Sequence, residues 1–334
     1  CPSCGGAKWA AWLQKRRAEL LPVPYFHLVF TLPHELSALA LGNRQVLYKL
    51  LFDAAAQTLL QIGADPKHLG ARLGALMVLH TWGQQLQHHP HVHAVVPGGG
   101  LSRDGTRWLS CRPNFLAPVK VLGRLFRGKY LAGLRQAYVN GELQFGGSTA
   151  ALADEKCWRA FLQPLYAKDW VVYAKKPFGG PELVLKYLTA YTHRVALSNR
   201  RLVEVSDSQV TLTYKDYADG CRRKELTLPP LEFVRRFAMH VVPKGFVRVR
   251  HYGLLAHRDR GERLAKCRTL LAAPPAVAAA APVAAAATAP VNDALHAAAA
   301  ERCPGCGASE RVTVWRADRP TARQLEQRWR WNTS

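Results

Sequence analysis

Acidic side chains are scarce in this sequence: 23 Asp and Glu stand against 46 Lys and Arg over 334 residues, a formal net charge of +23. An imbalance of that size in a globular chain points to a polyanionic partner, with nucleic acid foremost. No apolar run reaches the ~20 residues of a membrane span. Nor does a basic amphipathic helix or a lipidation motif favour a membrane surface. Cysteine is also sparse. Eight cysteines in a chain this long exclude a small disulfide scaffold, and the only tight pairs, Cys1/Cys4 and Cys303/Cys306, have the Cys-x-x-Cys spacing of a metal knuckle. Methionine occurs only at positions 77 and 239, and the chain opens inside a motif, which predicts a natural product extending further at its N-terminus. No signal peptide is visible, so the cytoplasm is the expected compartment. With 49% hydrophobic and 21% charged residues the chain has globular composition, enough for one large domain or two ordinary ones.

The first knuckle is followed by apolar spacing that predicts a short helix over Lys8 to Leu21, closed by Pro22 and Pro24. Tyr25 to Leu32 alternates as a strand, and Pro33 to Ile62 carries helical periodicity. Arg72 to Trp82 and His91 to Val96 are strand candidates joined by the polar stretch Gly83 to Pro90, an antiparallel hairpin in its simplest form. Helices are predicted over Phe115 to Tyr138, Leu152 to Tyr166 and Glu182 to Thr192. A short strand is predicted over Trp170 to Tyr173, and a second hairpin over Arg201 to Val205 and Gln209 to Tyr214. From Ala272 to Ala300 the sequence is rich in Ala, Pro and Val and has no Lys or Arg, a low-complexity linker. The second knuckle then leads into a basic tail containing tryptophan. Four segments follow: 1–22 as the remnant of a zinc-binding segment, 23–271 as the main domain, 272–300 as linker, and 301–334 as the terminal knuckle with its tail.

Chemistry concentrates in His88-His89-Pro90-His91-Val92-His93. Strand alternation puts His91 and His93 on one face, where two imidazoles can hold one divalent ion. A lone His-x-His is more often solvated or packed in a core, so a third donor matters. If Gln84 faces His89 across the loop, the register sets His80 opposite His93 and makes it the third ligand, with His89 in reserve. The competing role for His80 is to pack beside Val78 and Trp82. A second cluster, Lys186 to Arg194, holds Tyr187 and Tyr191 four residues apart, on one helical face with roughly 6 Å of rise between them. Paired tyrosines are usually core or interface aromatics, but this helix end is rich in cations.

The stretches LHTWGQQLQHHPHVHAVVPGGGLS (79–102), YLTAYTHRVALSNRRL (187–202) and ELLPVPYFHLVFTLPHEL (19–36) together resemble the two-tyrosine, histidine-hydrophobic-histidine (HUH) transposases of the insertion-sequence-91 family. The likeness extends through most of residues 1–271. It implies an α+β fold, an HUH-type antiparallel sheet flanked by helices, with small zinc-knuckle segments at the chain ends. It also implies a rolling-circle transposase that nicks single-stranded DNA at element ends, associated with the bacterial nucleoid. The family's histidine motif falls on His91 and His93, and its nucleophile pair on Tyr187 and Tyr191. Its zinc segment carries further ligands upstream of the pair that matches Cys1 and Cys4, and this chain lacks that stretch.

The residue types suit the implied chemistry. A tyrosine hydroxyl with a pKa near 10 needs help to attack a phosphodiester at neutral pH, and a divalent ion on the imidazoles provides part of it. Imidazole donors favour Mn²⁺, Co²⁺ or Zn²⁺ over Mg²⁺, although abundance in the cell leaves Mg²⁺ or Mn²⁺ as the working ion. The thiolate pairs suit structural Zn²⁺, each completed either by ligands from a preceding segment or by the other pair. DNA phosphates are expected at Arg103, Arg107, Arg112, Arg194, Arg200, Arg201, Arg222, Arg223, Lys224, Arg248 and Arg250. Trp82, Trp108 and Tyr214 are candidate base-stacking residues, although buried core is the more usual role for each. No small-molecule substrate or membrane partner is expected. The rival readings are a rolling-circle replication initiator or relaxase using the same residues, and a zinc-stabilised nucleic-acid-binding protein without catalysis.

Overall fold

The alternating stretch after Pro24 forms strand β1 (Tyr25–Thr31) in a computed structural model that describes residues 14–178 and 196–272. Just before it, residues 14–19 are helical, the described part of the first expected helix. The long helical stretch after Pro33 is broken into a 3₁₀ turn (His34–Leu36), α1 (Ser37–Gly42) and α2 (Arg44–Ala64). The break is at Asn43. Its side-chain amide donates to the Leu39 and Gln144 carbonyls, and its oxygen accepts from the Gln144 N–H at 2.7 Å. A side chain that bonds to backbone in this way competes with helix continuation.

Strands β2 (Ala71–Arg72), β3 (Gly74–Trp82), β4 (His88–Pro97), β5 (Gly99–Ser102) and β6 (Trp108–Ser110) follow. The strand expected over Arg72 to Trp82 is thus divided, since β2 pairs with β5 in a separate three-stranded sheet completed by β6. Helix α3 (Val119–Val139) and helix α4 (Glu155–Ala167) match the two next predicted helices. The Asp154 carboxylate caps α4 by accepting from the Cys157 N–H at 2.9 Å. Strand β7 (Val172–Phe178) is longer than expected. The second predicted hairpin is present as β8 (Leu202–Val205) and β9 (Val210–Asp216), and β10 (Arg222–Leu228) extends it to a third sheet. Helix α5 (Pro230–Ala238), strand β11 (Val249–Gly253) and helix α6 (Arg260–Ala272) complete the described elements. The expected linker lies outside the described residues except for Ala272, which ends α6.

The principal sheet has the order β11-β3-β4-β1-β7, with every neighbour antiparallel. The chain is therefore α+β, an antiparallel sheet flanked by helices. One face of the sheet presents Leu28, Phe30, Met77, Leu79, Val92 and Ala94 to the apolar sides of α2, α3 and α4, which form the main core. Phe30 is fully buried and meets Phe126 of α3 edge-on at 5.2 Å. Phe30→Ala is expected to lower the unfolding free energy by about 3–5 kcal/mol, because the transfer and cavity terms add at a site with little room to collapse. A denaturation midpoint equal to that of the parent would contradict this. Gly253 ends β11 at φ +58°, and a Cβ there would lie 2.1 Å from the Leu73 carbonyl oxygen, so only glycine fits. Among the described residues no helix is long and apolar enough to cross a membrane.

Candidate metal centre

The opposite face of the principal sheet carries histidines among its aliphatic residues. Cross-strand pairs share a face, and one row reads His251, Leu76, Val95, His27 and Lys175 across the five strands. The next reads Val249, Val78, His93, Val29 and Tyr173. His80 and His91 pair directly in the row beyond.

This register corrects the sequence expectation that His80 stands opposite His93. The connection between β3 and β4 is confined to Gly83–Gln87, closed by Gly83 N–H to the Gln87 carbonyl at 3.0 Å, with Leu86 at φ 60°. Two residues of β4, His89 and Pro90, oppose the single Thr81 of β3. Pro90 has no N–H to place in the ladder, and a bulge accommodates it. The shift is an even number of residues, so His80, His91 and His93 still face the same way.

Each of these three imidazoles offers a ring nitrogen, and the three nitrogens lie within 4.8 Å of one another. Ring centroids are 4.4 Å apart for His80 and His93, 4.9 Å for His91 and His93, and 5.4 Å for His80 and His91. His80 and His93 are buried at 2% and 8% exposure, while His91 is the partly open member. Burial holds the His91 pKa down to about 4 and pushes that of His93 well below the ordinary range. Both rings are therefore neutral at pH 7, the form in which an imidazole nitrogen keeps a lone pair for a ligand.

Surrounding groups orient these rings. The His91 Nδ1–H donates to the His89 carbonyl in the bulge at 2.7 Å, which leaves Nε2 as the ring nitrogen with a lone pair for an ion. His93 Nδ1 shares a 2.9 Å hydrogen bond with His27 Nε2, and the two rings stack at 5.1 Å. The Trp82 indole stacks on His80 at 4.4 Å, so its role is packing at the centre. The hairpin tip is held in turn by the β8-β9-β10 sheet and the segment after it. Leu86 is buried with Ala196, Leu212 and Leu228, the Arg236 guanidinium donates to the Gln85 carbonyl, and His240 Nε2 bonds to the Leu86 carbonyl. His27 was not anticipated from sequence; its only local signal is a single histidine in an otherwise apolar alternating strand.

The remaining site residues fall in three groups. Cys1, Cys4, Tyr187, Tyr191, Arg194, Cys303 and Cys306 lie outside the described residues, as does the helix predicted over Glu182 to Thr192. Arg103, Arg107, Arg112, Arg200, Arg222 and Arg223 are exposed. Three of the other cations have partners within the chain, as does Arg222, which pairs with Asp219 at 3.7 Å. Arg201 donates to the carbonyls of Thr213 and Gln84, Lys224 pairs with Asp216 and Asp219, and Arg250 lies over the Phe52 and Phe246 rings while donating to the Val247 carbonyl. Arg248 is half-buried, and burial lowers its pKa. Trp108 and Tyr214 are both partly exposed.

Residues 74–263 match the family model described as "Putative transposase", and residues 1–32 match that of a transposase zinc-binding domain. A relative from Sinorhizobium fredii (strain NBRC 101917 / NGR234), named "Putative transposase y4qJ", is 48% identical over 314 residues, 94% of this chain and 79% of the relative. The transposase for insertion sequence element IS801 from Pseudomonas savastanoi pv. phaseolicola is 31% identical over 267 residues, 80% of this chain and 62% of the relative. Among solved structures, the metal-bound conjugative relaxase TrwC in complex with oriT DNA aligns at 16% identity and a TM-score of 0.27, over 50% of this chain and 70% of that one. TrwC with a 27-mer DNA aligns at 15% and 0.27, over 73% and 71%. The matches to family models and sequence relatives establish that the chain belongs to the insertion-sequence-91 family of transposases.

Proposed function

We propose that the chain nicks single-stranded DNA at the ends of its element and transfers the strand, with Tyr187 and Tyr191 as nucleophiles and His80, His91 and His93 as ligands of one divalent ion, Mg²⁺ or Mn²⁺. The observation that carries this reading is the convergence of three imidazoles, two of them held neutral by burial, on a hairpin braced by Trp82 and His27. A divalent ion bound there supplies Lewis-acid polarisation of a phosphate oxygen. The tyrosine oxygen forms the bond to phosphorus and the bond to the 3′-oxygen breaks. The proton lost by the tyrosine ends on the freed 3′-hydroxyl. The 5′-phosphotyrosine keeps the ester linkage, so the strand can be rejoined to another end, and a second tyrosine allows a second cleavage while the first strand is still attached. The exposed Arg103, Arg107, Arg112, Arg200, Arg222 and Arg223 hold phosphates along the strand, together with Arg194. The pairs Cys1/Cys4 and Cys303/Cys306 hold structural Zn²⁺. The test is transfer of label from a 3′-end-labelled single strand to protein in a denaturing gel. A chain that binds single-stranded DNA in Mn²⁺ yet never acquires label would leave only the binding role.

His27 acts through His93. Without its hydrogen bond the His93 ring loses orientation, and His27→Ala is expected to weaken Mn²⁺ binding roughly 10- to 100-fold. Calorimetric titration checks this, and an unchanged affinity would show that the His27 contact is packing alone.

A further inference from the structure

We propose that edge strand β7 forms the subsite for the DNA phosphate adjoining the one that is cut, with Lys175 contacting that phosphate and Tyr173 stacking on the neighbouring base. The inference rests on the reading of the histidine centre as the nicking site.

Four observations support it. First, none of the five strands of the principal sheet contains an aspartate or glutamate, so the sheet itself adds no negative charge to the histidine face. Second, the register places both residues beside the centre. Lys175 pairs with His27, whose ring is bonded to His93, and Tyr173 pairs with Val29, which pairs with His93. Two strand spacings separate β7 from β4, roughly 10 Å, a gap that a lysine stem largely closes. Third, Lys175 is exposed and has no carboxylate partner among the described residues. Lys49, Lys168 and Lys224, by contrast, each pair with an acid. Fourth, Tyr173 is 52% exposed on a strand that has no second neighbour among the described residues, an aromatic platform of the kind that accepts any base.

The test uses the full chain, with a fluorescein-labelled oligothymidine read by anisotropy over a range of salt. Lys175→Ala should weaken binding several-fold and make the slope of log affinity against log salt shallower by about 0.7, the value for one lost phosphate contact on a single strand. Lys175→Arg should restore the slope. Tyr173→Ala should lose roughly tenfold, and Tyr173→Trp should retain affinity. On a single strand carrying the linkage cut by the wild type, a neutral methylphosphonate one position from the cut should cost the wild type what Lys175→Ala costs, and cost the variant nothing more. A wild-type salt slope in Lys175→Ala, or equal methylphosphonate losses in both proteins, overturns the subsite. Binding and slope are read without cleavage. Absence of any tyrosyl adduct would therefore sink the nicking reading, whereas normal adduct formation with an unchanged slope sinks the subsite alone.

Discussion

Changing His91 or His93 to alanine is expected to reduce covalent adduct formation by about 10³-fold while leaving affinity for single-stranded DNA within about threefold of the parent. The large first effect follows from losing one of three converging donors. With two imidazoles left, the ion is held weakly, and the several kcal/mol of charge stabilisation at the phosphate go with it, each ~1.4 kcal/mol being a factor of ten in rate. The small second effect follows from the proposed phosphate contacts at dispersed cations such as Arg103, Arg107 and Arg222, all exposed and none on the histidine hairpin. His93 is buried and bonded to His27, so its replacement also removes packing. Retained DNA binding and a cooperative unfolding transition distinguish loss of the centre from loss of the fold. The same collapse of activity should follow treatment of the parent with a chelator and be reversed by Mn²⁺. Undiminished cleavage by the double variant in metal-replete buffer would remove these histidines from the reaction.

The tyrosine pair should separate the two halves of the strand-transfer reaction. Tyr187→Phe and Tyr191→Phe are each expected to form some adduct on a single-stranded oligonucleotide, the double variant none, and all three to lose complete strand exchange. A phenylalanine keeps the ring and its packing and deletes only the oxygen that bonds to phosphorus, so the comparison isolates nucleophilicity. Peptide mapping of the trapped adduct identifies the linked residue directly. An adduct surviving in the double variant would put the nucleophile elsewhere. Loss in only one single variant would leave the other tyrosine a packing or later-acting role.

Much of the hairpin that carries the centre was legible in local pattern. Alternation put His91 and His93 on one face, and an assumed register that proved two residues off drew His80 to the same side; the structure gathers those three rings. The pairing of β8 with β9 around Ser206 to Ser208 and the helices α3 and α4 were equally visible, because each is specified by residues within a few turns or one hairpin of one another. Strands β10 and β11 were not, since the first is mostly polar and the second only five residues long. What tertiary structure decided has a different physical character. The two-residue shift of register is a net result: the hairpin turns at Gly83–Gln87, three positions from the assumed pairing, and the one-residue bulge at His89 and Pro90 gives one back. The break at Asn43 depends on Gln144, 101 residues away. His27 reaches His93 only because β1 lies beside β4, and Lys175 reaches the same face only because β7 lies beside β1. Arg201, Lys224 and Arg250 resemble free cations in sequence, yet carbonyls, carboxylates and aromatic rings from other segments engage them. Side-chain periodicity is a property of the backbone repeat and can be read along the chain, whereas strand order, bulge position and the partner of each charge are set by contacts between residues far apart in sequence.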